Sequence, residues 1–344
     1  MRVAMYYNNQ DVRIQEMPLP EIGTQELLVK VMASGICGSD VMEWYRLKKA
    51  PLVLGHEISG EIVKVGKKVK KYKKGQRVFV SHHVPCNTCR YCLRGEHTVC
   101  ETLRTTNFYP GGFAEFIRVP KRNVECGVFV LPGKMSYEEG TFIEPLACVL
   151  RGQRKADLKP GQSVLILGGG ISGILHLLAA KASGAGRIFV TDINAYRLKA
   201  AKRFGAYKVI HAQEDVVSCL RQANQGRLAD IVIVCTGALS AFQQAMHCLD
   251  RAGTLLLFAS PQPGVALSFS ANEFWRQGIR IVPSYGASPL DLKMAIKLLS
   301  YQKLPVSRMI THRLSLKQAS LGFGLVAEGK KCLKVIIEPQ RKSS

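Results

Sequence analysis

From Ser163 onward, short apolar runs alternate with segments whose apolar positions recur at helical spacing: SVLILGGG then ISGILHLLAAKASG, RIFVTD then NAYRLKAAKRFG, ADIVIVCTG then SAFQQAMHCLD, and finally GTLLLFAS. Near-continuous apolar strands separated by helices predict a parallel sheet covered on both faces. The pattern therefore predicts an α/β chain with a doubly wound domain over residues 155–287. The first 135 or so residues follow another grammar. RVAMYY, ELLVKVMAS, HEISGEIVKVG, QRVFVSHHV, FAEFIRVP and VFVLP are strand-like runs broken by Gly and Pro, and they predict a β-rich module. Between the two regions, Ser136 to Ala156 has the length and period of one helix. The tail, from PLDLKMAIKLLSYQ to CLKVIIEP, predicts helices and a last strand that returns to the first module. That module is thus expected to comprise residues 1–154 and 288–344.

Composition excludes disorder: 47% of residues are hydrophobic and 21% charged. No apolar run reaches the roughly 18 residues of a membrane span, and MRVAMYYNNQDVRIQ lacks the apolar core of a signal peptide, so the cytoplasm is expected and a membrane partner is not. The net charge of +23 raises nucleic acid as a partner. Its distribution argues otherwise. The densest cluster, KKVKKYKK at Lys67 to Lys74, falls between two strand-like segments as a solvated turn, and no nucleic-acid motif accompanies it. An acidic surface or an anionic substrate would also suit the charge.

LILGGGISG carries Gly168, Gly170 and Gly173 in G-x-G-x-x-G spacing, with Ile171 and Ser172 opening the following helix. The motif follows an apolar strand, and Asp192 stands nineteen residues after Gly173 at the end of the next strand. In that setting the glycines permit a tight turn and close backbone approach, the helix N-terminus faces a pyrophosphate, and the carboxylate accepts ribose hydroxyls. NAD is expected in preference to NADP, because an acid at this point repels an extra phosphate. Arg197 would cover the adenosine, support a phosphate, or simply be an exposed helix arginine.

The eleven cysteines are expected as thiols or metal ligands, since the cytosol keeps thiols reduced. PCNTCRYCLRGEHTVC places Cys86, Cys89, Cys92 and Cys100 in C-x2-C-x2-C-x7-C spacing. Four thiolates from one loop close a tetrahedral zinc shell and leave no position for substrate, which reads as structural zinc. An iron–sulfur cluster uses the same four ligands, and spacing alone leaves both open.

A second candidate site joins Cys37 to His56 and Glu57. The string G-H-E-x2-G-x5-G from Gly55 to Gly66, with ICGSD and the cysteine lobe, resembles the zinc-containing medium-chain alcohol dehydrogenase family over essentially the whole chain. Glu57 and the segment IEPLACVLRG around Glu144 are most similar to the sorbitol (polyol) and threonine dehydrogenase branch. The resemblance implies a GroES-like catalytic module built from both chain ends, a central Rossmann domain and an active site in the cleft between them. It implies two zinc ions per chain and a homodimer or homotetramer. Cys37, His56 and Glu57 become catalytic zinc ligands, with Glu144 as a further ligand or a neighbour of the metal. Ser39 becomes the first acceptor of the alcohol proton while NAD takes the hydride.

One departure stands out. Where many members of the family carry a proton-relaying histidine, this chain has Met42, and a thioether relays no proton. Glu43, the cofactor ribose or water would then take over. The segment between Cys37 and His56 carries Trp44, Tyr45, Arg46, Lys48 and Lys49, and an Arg or Lys there is expected either to grip an anionic substrate group or to be solvated. Ser284 and Tyr285 fall where the family meets nicotinamide and substrate. The expected activity is zinc- and NAD-dependent dehydrogenation of a secondary alcohol, polyol, sugar or sugar derivative, anionic ones included. Threonine-type dehydrogenation of a β-hydroxy amino acid is the alternative within the enzyme class. A non-catalytic redox-sensing or nucleic-acid-binding protein on the same fold is the alternative outside it, and the intact set Cys37, Ser39, His56 and Glu57 weighs against it. A zinc-free quinone reductase is countered by both metal motifs.

Overall fold

The computed structural model describes residues 1–301 and 304–341. The chain divides into two compact units, Met1–Ala147 with Ala287–Ser344, and Cys148–Gly286.

The first unit begins with eight strands: β1 (Arg2–Asn8), β2 (Asp11–Glu16), β3 (Leu27–Gly35), β4 (Leu52–Val53), β5 (Glu57–Val65), β6 (Arg77–Val80), β7 (Phe116–Val119) and β8 (Val128–Val130). The second unit holds β9 (Val164–Leu167), β10 (Ile188–Asp192), β11 (Lys208–His211), β12 (Ala229–Val234), β13 (Leu249–Leu257) and β14 (Arg280–Pro283). The chain then returns to the first unit with β15 (Ile310–Ser315) and β16 (Lys334–Glu338). There β2, β1 and β4 form a small sheet, and β15-β16-β3-β5-β6-β8 form the main one, with β7 also on β3.

Strand β3 is the spine of this unit. It pairs antiparallel with β5 from Leu27↔Val65 to Gly35↔Glu57, and with β16 at Gly35↔Ile336 and Ser34↔Ile337. Val29, Val31, Ile58, Ile62, Val78 and Val80 are wholly buried around it, so the register is fixed by which face each side chain occupies. The predicted return of the last strand is observed, and β15, unpredicted, lies parallel to β16.

The second unit is a six-stranded parallel sheet in the order β11-β10-β9-β12-β13-β14. This is the doubly wound order, with its direction of winding reversed between β9 and β12. The glycine-rich turn after β9 opens at that point.

Three local expectations differ from the structure. The single helix expected over residues 136–156 is two, Tyr137–Gly140 and Ile143–Lys155. Ser136 and Glu139 cap the first reciprocally. Pro145 has no N–H to donate and fits only a first turn, which restarting the helix at Ile143 provides. The strand read over QRVFVSHHV stops at Val80, because the Asn123 amide takes the Ser81 and His82 carbonyls, each at 2.9 Å. β2 and β4, together with the short helices of the cysteine lobe, carry too little periodicity to be read in advance. The Lys67–Lys74 run is an exposed turn after β5, anchored by buried Tyr72, whose hydroxyl donates to the Val128 carbonyl at 2.7 Å.

One buried group makes the second unit sensitive to acid. His176, fully buried on the helix Ile171–Ala182, has Gln153 Nε2 3.2 Å from its Nδ1 and packs edge-on against Phe258. Burial pushes its pKa down to about 3. The unfolded chain, with a histidine pKa near 6.5, therefore binds a proton that the folded chain excludes, and stability falls as pH drops below about 6.5. Between pH 7 and pH 5 the loss from this residue amounts to about 2 kcal/mol. His176→Leu is expected to flatten that part of the profile, read from urea unfolding at the two pH values.

Candidate catalytic metal centre and dinucleotide site

Cys37 follows β3 by two residues, and His56 immediately precedes β5. The Gly35↔Glu57 pairing therefore brings both together with Glu57 itself. Cys37 Sγ, a His56 ring nitrogen and a Glu57 carboxylate oxygen all lie within 4.8 Å of one another. Sulfur, imidazole and carboxylate at this spread fit one zinc ion with bonds of about 2.0–2.3 Å after small side-chain closure. Glu144 stands near enough to Glu57 for its charge to count there.

The surroundings orient this set. Asp40, fully buried, accepts from the Cys37 N–H at 3.0 Å through Oδ2, while its Oδ1 faces His56 Nδ1 at 3.4 Å. That leaves Nε2 of His56 for a metal, the usual arrangement of a carboxylate behind a ligating histidine. Burial alone would raise the Asp40 pKa, but the charge of His56 and of Arg46 and the Cys37 N–H outweigh it and hold it below its ordinary value. Burial would likewise lower His56, yet Asp40 and Cys37 raise it well above its usual value.

Glu57 is paired in a way the sequence does not disclose. Lys334, fully buried at the start of β16, donates to Glu57 Oε2 and to the Ile36 carbonyl, the latter at 3.4 Å. Burial raises the Glu57 pKa, Lys334 and His56 oppose this, and Glu144 adds to it.

Ser39 lies against the same centre, its backbone N–H and its hydroxyl each 3.4 Å from Cys37 Sγ. Met42 has no relay chemistry, and the neighbouring Glu43 is engaged elsewhere, accepting from the Asn9 N–H at 3.0 Å. Trp44 packs on Tyr45 at 5.8 Å between ring centroids in the short helix Glu43–Arg46. Lys48 and Lys49 follow, exposed.

In the cysteine lobe the sulfurs of Cys86, Cys89, Cys92 and Cys100 also lie within 4.8 Å of one another. The separations are 3.9 Å for Cys86–Cys92, 3.6 Å for Cys89–Cys92 and 3.6 Å for Cys86–Cys100. Four thiolates at 2.3 Å from a tetrahedral zinc would be about 3.8 Å apart, so the lobe fits one closed ion. A multi-iron cluster, which needs a thiolate on each iron, would spread them further. Backbone N–H groups of Thr88 and Cys89 at 3.4 and 3.2 Å help push the Cys86 thiol down to about 5, favouring the thiolate a metal requires.

The dinucleotide signature is assembled within the second unit. Gly168 has φ of +104°, a conformation L side chains rarely adopt, and a Cβ on Gly173 would overlap the Gly168 carbonyl. Gly170 caps the helix that Ile171 and Ser172 begin. Asp192, at the end of β10, accepts from Gly169 N and Asn194 N at 2.8 Å each. Arg197 Nη1 lies 3.7 Å from the same carboxylate. The turn, helix N-terminus and acid thus have the relative placement a pyrophosphate and ribose need. Tyr285, in the second unit, is 54% exposed.

Comparison with known proteins places the chain in a family. The family model for the alcohol dehydrogenase GroES-like domain matches residues 23–127, and that for zinc-binding dehydrogenases matches residues 173–301. Sorbitol dehydrogenase of Bacillus subtilis is 32% identical over 99% of this chain and 98% of its own length. The chain belongs to the zinc-containing medium-chain alcohol dehydrogenase family. L-threonine 3-dehydrogenase of Chelativorans sp. is 32% identical to this dehydrogenase over 92% of each chain. Among solved structures, galactitol-1-phosphate dehydrogenase from Escherichia coli superposes with a TM-score of 0.86 at 28% identity, covering 98% of this chain and 100% of the other. The enzyme is thus a zinc- and NAD(P)-dependent oxidoreductase with a GroES-like module and a Rossmann-type parallel sheet.

Four residues packed around the Cys37–His56–Glu57 cluster escaped the sequence reading: Asp40, His82, His83 and Lys334. Continuing the Ile58↔Val80 register past the end of β6 sets His82 opposite His56, with ring centroids 4.8 Å apart, and His83 stacks on His82 at 3.8 Å. Burial, then the positive charges of His83, His56 and Arg46, push His82 well below its usual value; His83 falls to about 4, mainly by burial. A doubled histidine after an apolar strand, and one lysine inside the apolar run CLKVIIEP, were the available signals. In the metal-free protein Lys334→Met leaves a buried carboxylate without its counter-charge and is expected to cost about 3–5 kcal/mol in urea unfolding. Glu57→Gln in the same chain should recover a large part of that loss.

Proposed function

We propose that the enzyme interconverts a secondary alcohol of a polyol, sugar or sugar derivative with its ketone, using NAD in preference to NADP. The reading rests on Cys37, His56 and Glu57 converging beside Ser39 in a chain similar to a sorbitol dehydrogenase from end to end. When bound, zinc supplies a Lewis acid for the substrate oxygen and NAD a hydride acceptor.

The chain's own residues do the rest. Cys37, His56 and Glu57 hold the catalytic ion, with Glu144 next to Glu57. Asp40 fixes the His56 tautomer, and Lys334 keeps the buried Glu57 in charge balance. Ser39 accepts the substrate proton at Oγ. Cys86, Cys89, Cys92 and Cys100 hold a structural ion. On the cofactor side, Gly168, Gly170, Ile171, Ser172 and Gly173 receive the pyrophosphate, Asp192 takes the ribose hydroxyls, and Arg197 lies over the adenosine side. Trp44 and Tyr285 are substrate contacts on this reading, whose assembly is a cytoplasmic homodimer or homotetramer acting on small molecules alone.

The L-threonine 3-dehydrogenase relative favours a second reading, oxidation of a β-hydroxy amino acid. Met42 in place of a relay histidine counts against it. A panel of polyols, sugar acids, sugar phosphates and threonine, assayed with NAD and NADP and with and without chelator, separates the two. NAD reduction on a polyol or sugar derivative, lost with chelator, is expected, and turnover of threonine alone overturns the first reading. Metal analysis should find about two zinc ions per chain.

A further inference from the structure

Arg46 is the one basic residue of the Cys37–His56 segment whose guanidinium is turned onto the protein. Its Nε donates to the Ser39 carbonyl at 2.8 Å, its Nη2 donates to the Ser39 hydroxyl at 3.2 Å, and the same nitrogen lies 3.5 Å from Asp40 Oδ1. The guanidinium carbon sits 4.6 Å from the Tyr45 ring centroid, and the side chain is 14% exposed. We propose that Arg46 is a positioning residue for the dehydrogenase reaction: it sets the direction of hydrogen bonding at Ser39 and steadies Asp40 behind His56. The inference rests on the reading of Ser39 as proton acceptor.

A serine hydroxyl has one hydrogen and two lone pairs. Arginine remains protonated, so its N–H permanently fills one lone pair of Ser39. With Ser39's own hydrogen directed at Cys37 Sγ, 3.4 Å away, the other lone pair is the one left to receive the hydrogen of the substrate hydroxyl. Without Arg46 the hydroxyl is free to rotate about its Cβ–Oγ bond, and its hydrogen can leave Cys37 Sγ and turn to the substrate oxygen with the wrong polarity. Met42 has no polar hydrogen with which to replace this anchor. The second contact acts through Asp40. That carboxylate has the Cys37 N–H on one oxygen and both His56 and Arg46 facing the other, so Arg46 adds a fixed positive charge where His56 must stay oriented. Lysine has the charge but not the planar fork that reaches the Ser39 carbonyl and hydroxyl at once.

The test uses the zinc-loaded enzyme and two variants, Arg46→Met and Arg46→Lys. Steady-state kinetics are measured on one neutral substrate and its phosphorylated or acidic analogue, and zinc affinity by chelator competition. Arg46→Met is expected to lower kcat about 10–100-fold and to weaken retention of the more exchangeable zinc about tenfold. KM should change little for either substrate, because the lost interaction orients rather than binds. Arg46→Lys should recover only a small part of kcat, and added guanidinium ion should restore turnover in Arg46→Met. A KM increase confined to the anionic substrate, with kcat kept, overturns the proposal in favour of substrate recognition. Unchanged kcat and zinc affinity overturn it as well. If no alcohol of the panel is oxidised, the functional reading fails, while the chelator competition still decides whether Arg46 supports the metal centre. If Arg46→Met does not fold, the kinetics, zinc competition and guanidinium rescue of Arg46→Lys decide between the same outcomes.

Discussion

Glu57 is a carboxylate with almost no exposure to water, and Lys334 is an ammonium with none; paired, each supplies the other's counter-charge. Their meeting depends on three strands. Glu57 opens β5 opposite Gly35 of β3, while β16 lies on the other side of β3 and begins with Lys334. A side chain at Gly35 would overlap both charged groups, so the absence of one is what lets them meet. Cys37 and His56 are carried to the same place by the same pairing. The convergence of Cys37, His56 and Glu57 is therefore less a feature of the loops that contain them than a consequence of the register of β3.

Around this pair the charge is arranged by depth. Asp40 and Glu57 are the buried acids at the centre, and the positive groups facing them are Arg46, Lys334 and His56, whereas burial keeps His82 and His83 neutral near pH 7. The lysines of the Lys67–Lys74 turn are exposed, and among the described residues none of them has an ion-pair partner. The excess of +23 is thus compatible with a balanced centre, since much of it stands in solvent.

The parts legible from sequence were those whose meaning is local. Four cysteines within fifteen residues, a glycine turn between an apolar strand and a helix, and a His-Glu pair among glycines each carry their geometry with them. Lys334 could not be read that way: its place in the apolar run CLKVIIEP hints at burial, but its partner lies 277 residues earlier and nothing local names it. The same limit explains Arg46. A basic residue after two aromatics suggested substrate, but whether its guanidinium points outward or back onto the preceding turn depends on the short helix at Glu43–Arg46, four residues long and without a side-chain cap. The break before Ile143 was legible in principle, since Pro145 marks it, but the surrounding helical period concealed it.

The placement of Lys334 on β16 also bears on synthesis. When β3 and β5 have left the ribosome, Glu57 has no counter-charge, and the complete Rossmann unit must still be made before Lys334 appears. Domains generally fold as units in the order of their emergence, so the interrupted first unit is completed after the uninterrupted second one. By that order the second unit of a nascent chain is complete before Glu57 meets its partner, and the segment that closes the first unit is the late one carrying β15 and β16.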